Sequence, residues 1–177
     1  MYRLSLLTLC FCAIPGIAAD VYTFSLLPSD GNINGAPGST IGWGYQLQNQ
    51  STSDWLVTTG LNAGSFQNAA PDLIFDFPDL APGATATVAF NAATSAGLYE
   101  LTWSATAPLN FTNSGTFALS AQWWNGNSLS GGMFLNSATT ATHSYAATAI
   151  PEPASIGLAG IVFLLVGAGL RARHRRP

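Results

Sequence analysis

Few residues in this chain have the chemistry to act, and their spacing sorts them. Asp30-Gly31-Asn32-Ile33-Asn34-Gly35 sets oxygen-bearing side chains at alternate positions, with glycine where a calcium loop turns sharply. Asp30, Asn32 and Asn34 are the candidate metal ligands. The twelfth position of such a loop is Ile41, where a bidentate glutamate is needed. On that missing ligand, a polar turn between two strands is favoured over a metal site. Calcium at this loop is the one cofactor the residues suggest. A second constellation is aromatic. Trp123 and Trp124 are adjacent, so in a strand they face opposite sides and one of them is core. Trp124, with Asn125 and Asn127 beside it, would suit stacking and hydrogen bonding to a polysaccharide. The third is acidic. Asp72, Asp76 and Asp79 bracket a short apolar run between Pro71 and Pro78. Glycoside hydrolysis requires a paired acid and base or nucleophile, and no spacing in the sequence pairs Glu100 with an aspartate. No G-x-S-x-G, H-E-x-x-H or phosphate-binding glycine loop occurs. The expectation is a protein that is not an enzyme, with the aspartates forming a solvated acidic edge.

These residues must be positioned by residues 20–149, which read as all-β. Thr40 to Gln48 alternates Ile41, Trp43, Tyr45 and Leu47 with Gly42, Gly44, Gln46 and Gln48. Such period-two patterning belongs to a strand with one buried face. Further strands are expected at Val21–Leu27, Trp55–Thr59, Leu73–Phe77, Ala84–Phe90, Leu98–Ala105 and Thr116–Trp124. A last one is expected at Thr140–Ala147, within a Ser/Thr-rich segment that reads equally as a stalk. Short strands at this spacing argue an antiparallel β-sandwich, Ig-like or jelly-roll. Pro82-Gly83 predicts a type II turn, since Pro82 presets φ and Gly83 supplies a positive one. Asn49-Gln50-Ser51 and Asn110-Phe111-Thr112 match a glycosylation acceptor formally and are read as chance.

Charge is distributed by position. All five basic residues lie at the ends: Arg3, then Arg171, Arg173, Arg175 and Arg176. The domain between them holds no Lys or Arg, so it carries a negative potential that repels phosphate backbones and excludes nucleic acid as a partner. Both cysteines, Cys10 and Cys12, sit in the N-terminal apolar run. Without disulfides outside the cell, the core must rest on burial of Trp, Phe and Tyr.

The ends explain that distribution. Arg3, the apolar block Leu4–Ile14 and the small residues Ile17-Ala18-Ala19 follow the order of a secretory signal, assigning residues 1–19 to a signal peptide. At the other end, Ala154–Leu170 is uncharged and would span about 25 Å as a transmembrane helix. The arginines at 171, 173, 175 and 176 would stop it on the cytoplasmic side and leave the domain facing outward. Pro151-Glu152-Pro153, then the apolar span, then the arginine cluster, resembles the PEP-CTERM sorting segment of Gram-negative bacteria. The resemblance covers residues 150–177 only. It implies that Pro151, Glu152 and Pro153 are read by an exosortase, a membrane transpeptidase-like enzyme, with cleavage near the motif. It implies a protein exported, anchored in the inner membrane in transit, and then placed at the cell surface or in the extracellular matrix with exopolysaccharide. The prolines would hold the motif extended just outside the bilayer.

Overall fold

A computed structural model describes residues 21–152. The expected signal peptide, Pro153 of the motif, the 154–170 helix and the four terminal arginines lie outside the described residues. Among the described residues no helix is long and apolar enough to cross a membrane.

Among the described residues eleven strands follow one another: β1 Tyr22–Leu27, β2 Asn32–Gly35, β3 Thr40–Asn49, β4 Trp55–Asn62, β5 Ala69–Leu73, β6 Asp79–Leu80, β7 Thr85–Val88, β8 Tyr99–Trp103, β9 Thr112–Trp124, β10 Phe134–Ser137 and β11 Ala141–Ala149. They form two sheets. One runs β1-β3-β8-β5, with β7 added to β3. The other runs β2-β11-β9-β4-β6, with β10 added to β9. The predicted alternation holds over the second half of β3, where Trp43, Tyr45 and Leu47 are fully buried and Gln46 and Gln48 exposed; Gly42 and Gly44, on the face expected to be wet, are buried against Phe90 and the Val88–Ala89 backbone. They meet Leu56, Phe117, Leu119, Tyr145 and Ala147 of the second sheet in one core.

Aromatic residues carry that core across both sheets. Trp43 packs edge-on against Phe117 and Tyr145, each at 5.2 Å between ring centres. Geometry of this kind adds about 0.5–1.5 kcal/mol per pair beyond simple burial. The Trp43 indole N–H donates to the Gly31 carbonyl at 2.8 Å, which fixes the ring's depth. Tyr22 ties the layers from the edge: its hydroxyl donates to the Leu119 carbonyl and accepts from the Ala141 N–H, both at 3.0 Å.

Turns form where the sequence places them. Gly83 has φ +73, and the Ala84 N–H closes on the Ala81 carbonyl at 3.0 Å, as the type II reading requires. Departures from the sequence reading have identifiable causes. The expected strand at Leu73–Phe77 is displaced to Ala69–Leu73, because the chain must leave one sheet and reach the other through Phe75, buried against Tyr45. Pro71 is tolerated within β5 because that strand is an edge. The wholly antiparallel expectation is corrected as well: β2 pairs with β11 in parallel, Asn32 opposite Ala146 and Gly35 opposite Ala149. β2, β6 and β10 are absent from the pattern-based reading, being too short or too polar to show a period. The Ser/Thr-rich segment is a strand, β11, rather than a stalk. Asn49, head of a formal glycosylation motif, is fully buried.

Candidate functional site

The hairpin between β9 and β10 gathers the aromatic candidates. Trp123 turns inward against Tyr22, at 6.2 Å between ring centres, and Trp124 turns outward and is half-buried. The outer ring is held on two sides. Its indole N–H donates to Gln122 Oε1 at 3.2 Å, and Phe134, opposite it in register, stands nearly perpendicular at 6.3 Å.

Asn125 and Asn127 build the loop. Asn125 Oδ1 accepts the Met133 N–H at 2.8 Å, and its own N–H donates to the Met133 carbonyl at 3.1 Å. Asn127 Oδ1 accepts the Leu129 N–H at 2.9 Å, capping a single 3-10 turn over Ser128–Ser130. Ser128 donates its hydroxyl to the Asp79 carboxylate, pinning the loop to β6. Both amide oxygens are committed, and large apolar side chains stand exposed beside them. Leu129 is 91% exposed, Met133 65%, Phe134 51% and Leu135 44%. Trp124, Asn125 and Asn127 are therefore brought together, on a hairpin where Trp124 meets Phe134 and where Met133 and Leu135 are also exposed. Sequence reading missed those last three because they follow a glycine pair and show no alternation.

The calcium candidates take another arrangement. Asp30 folds onto Asn32, accepting its N–H at 3.1 Å and its side-chain amide at 3.0 Å. These two bonds, the backbone one first, hold the Asp30 carboxyl below the usual carboxylate range. Asn32 and Asn34 lie in β2, extended, where successive residues rise about 3.3 Å along the strand rather than curling about a point. Gly31, at φ +70, has a structural role: its carbonyl accepts both the Trp43 indole N–H and the Ala146 N–H. A side chain there would meet the Ser144 carbonyl. Among the described residues no three His, Cys, Asp or Glu side chains group as a metal site.

The three aspartates separate. Asp76 accepts the Tyr45 hydroxyl at 2.5 Å, Asp79 holds Ser128, and Asp72 lies in β5 directly opposite Glu100 of β8. Strand register thus pairs an aspartate with Glu100, which linear spacing could not show. Glu100 is also opposite Gly42, on which the Phe90 ring lies, and its Oε2 is buried without a hydrogen-bond partner. Like charges facing across a ladder repel. Replacing Asp72, which is exposed, with Asn is therefore expected to stabilise the fold by about 0.2–1 kcal/mol at neutral pH. A urea midpoint that falls instead would mean the pair is held by something other than repulsion.

No family model, curated protein or solved structure matches the chain.

Proposed function

We propose that this is an exported protein, sorted at the inner membrane by an exosortase and displayed at the cell surface or in the matrix. There its non-enzymatic β domain adheres, in association with exopolysaccharide, through the β9–β10 hairpin. The observation that carries the adhesive part is that Trp124, Met133, Phe134 and Leu135, large apolar groups on one hairpin, are left exposed or half-exposed outside a well-filled core. Clustered exposed apolar side chains mark interaction sites more often than isolated ones do.

The direction of the chain supports the same reading. β11 ends at Ala149 beside the start of β9, with Thr148 opposite Thr112. The hairpin leaves from the other end of β9, 13 residues away, which is about 40 Å in extended chain. Ile150 still donates its N–H to the Gly35 carbonyl at 2.9 Å, after which Pro151 and Glu152 run exposed. A domain tethered through residues beyond Glu152 would thus hold its apolar tip away from the bilayer.

An Ig-like topology has more support than a jelly roll. β1-β3-β8-β5 facing β11-β9-β4 has the order ABED against GFC, and the parallel β2 lies beside the G-like strand. The departures are β6, which follows the D-like strand and pairs with β4 of the second sheet, and β7, which pairs with β3 of the first.

Intact mass of the protein isolated from its host tests the sorting. Loss of residues 1–19 and of the residues beyond the Pro151-Glu152-Pro153 region is expected. A mass that retains the 154–177 segment would refute exosortase processing. Retention on the host's exopolysaccharide tests the adhesion. Trp124→Ala is expected to weaken it by roughly tenfold, as truncation of an aromatic anchor at the centre of a contact does. Unchanged retention would remove Trp124 from the contact.

A further inference from the structure

We infer that the polysaccharide contact is made on the outer face of the second sheet, where Trp55, Trp124 and Phe134 form one row, and that the polymer it takes is uncharged. This rests on the adhesive reading and names its substrate class. Trp55 of β4 lies directly opposite Trp124 of β9, and Phe134 of β10 lies directly opposite Trp124 on the other side. Residues opposite one another in an antiparallel pair project to the same face. The next pair along, Leu56 and Trp123, is buried in the core, so the aromatic row faces outward. Trp55 and Trp124 are half-buried and Phe134 is exposed. Neighbouring strands lie about 4.8 Å apart, so the row extends about 10 Å across three strands, wider than a single sugar ring. A sugar ring lays its C–H groups on an aromatic surface and keeps its hydroxyls at the ring edge, free to hydrogen-bond.

The face beside the row supplies groups for those bonds. Running back from Trp124, the outward positions of β9 include Gln122, Ser120, Thr116, Ser114 and Thr112. The four hydroxyl residues are exposed, and Gln122 holds the Trp124 indole through its Oε1. Apolar contact with a few polar groups fixing orientation is the general build of a binding surface for a small ring. Here the polar positions continue along the strand, as contact with successive sugars of a chain requires.

Charge sets the class of polymer. From Leu101 through Ile150 the sequence has no Asp, Glu, Lys or Arg. That stretch contains β9, β10 and β11, and β2 and β4 are uncharged as well. In the strands of this sheet Asp79 of β6 is the one charged residue, and it accepts the Ser128 hydroxyl. The charged strand residues of the other sheet, Asp72 and Glu100, face each other there. A polysaccharide with a charge in every repeat needs counter-charges spaced along its track, and this face has none to offer to either sign. A polyanion is further repelled by a domain whose residues 21–149 hold six acidic side chains and no basic one. Asp54 stands one residue before β4, so a cationic polymer is the alternative that the test must separate.

Host exopolysaccharide, divided by ion exchange into uncharged, anionic and cationic fractions and immobilised, provides the test with the host-isolated protein. Retention is expected on the uncharged fraction, equal at low and high salt because no ion pair is there to be screened. Trp55→Leu keeps apolar volume but removes the ring, and is expected to weaken retention roughly tenfold. Trp55→Phe keeps a ring and is expected to preserve most of it. Trp55 is half-buried, so circular dichroism of both variants should match wild type. Preferential retention on the anionic or cationic fraction would overturn the uncharged class. Trp55→Leu retained like wild type, or Trp55→Phe as weak as Trp55→Leu, would overturn the aromatic row. The adhesive reading fails separately, when none of the fractions retains the protein, so the two failures are distinguishable.

Discussion

Asn49→Ala is expected to destabilise the domain by about 4 kcal/mol, a large part of the roughly 5–15 kcal/mol that holds a typical domain folded. Asn49 is the last residue of β3 and is fully buried. Its side-chain amide donates to the carbonyls of Asp54, Leu80 and Ala81 at 2.8, 3.0 and 3.1 Å, two hydrogens shared among three oxygens. Its Oδ1 accepts the Ser51 N–H at 2.9 Å, and its own N–H donates to the Ala84 carbonyl. One side chain therefore joins the end of β3, the entry to β4 and the turn after β6, drawn from both sheets. Alanine removes every side-chain bond and leaves the buried Ser51 N–H and the carbonyls unpaired, each costing about 1–3 kcal/mol with incomplete additivity. Asn49→Asp is expected to be worse, because a carboxylate would face three carbonyl oxygens. Urea unfolding should show the midpoint falling at constant slope. A loss under about 1 kcal/mol would mean that the segments are held by their backbone bonds alone.

Asn49 also shows where sequence reading stops. The alternation of β3 was legible, since Trp43, Tyr45 and Leu47 obey a period that any buried-face strand imposes. The turn at Pro82-Gly83 was legible because only a residue tolerant of positive φ suits that position. Opposite faces for Trp123 and Trp124 followed from strand geometry alone. What could not be read is pairing at a distance. Asn49 resembles any polar residue at a strand end until three carbonyls from other segments converge on it. Glu100 looks solitary until register sets Asp72 against it. Gly31 reads as part of an oxygen-rich loop, whereas its carbonyl is the acceptor that positions Trp43. At the candidate site, Trp124, Asn125 and Asn127 were found by type. Their division of labour depends on a hydrogen-bonded loop whose partners, Leu129 and Met133, carry no distinguishing side-chain chemistry in the sequence.

The same core predicts steep alkaline unfolding above pH 10. Four of the five tyrosines lie in the described domain, at positions 22, 45, 99 and 145. Each has its phenol pKa raised in the fold, and burial is the first cause in every case. For Tyr22 the Ala141 N–H partly offsets burial. For Tyr45 the hydrogen bond to Asp76 and that carboxylate's charge raise it further. For Tyr99 the charge of Asp72 adds to burial. The Tyr145 hydroxyl packs near Gly64 and Gly115. A phenol with a raised folded pKa keeps its proton after the unfolded chain has lost its own. Stability is therefore intact below about pH 10, the ordinary tyrosine value, and falls as pH rises towards and through the folded values. Each group contributes a slope of at most about 1.4 kcal/mol per pH unit in that window. Tyr22, Tyr45 and Tyr145 are at most 9% exposed, so together they give up to roughly 4 kcal/mol per unit. Half-buried Tyr99 adds less. Ultraviolet titration should show these phenols ionising together with the loss of near-ultraviolet circular dichroism. Tyr45→Phe should make the slope shallower by up to one proton's worth, although it also forfeits the Asp76 bond. If all the phenols titrate near pH 10 while the fold persists, the tyrosines do not hold the two sheets together as the core geometry requires.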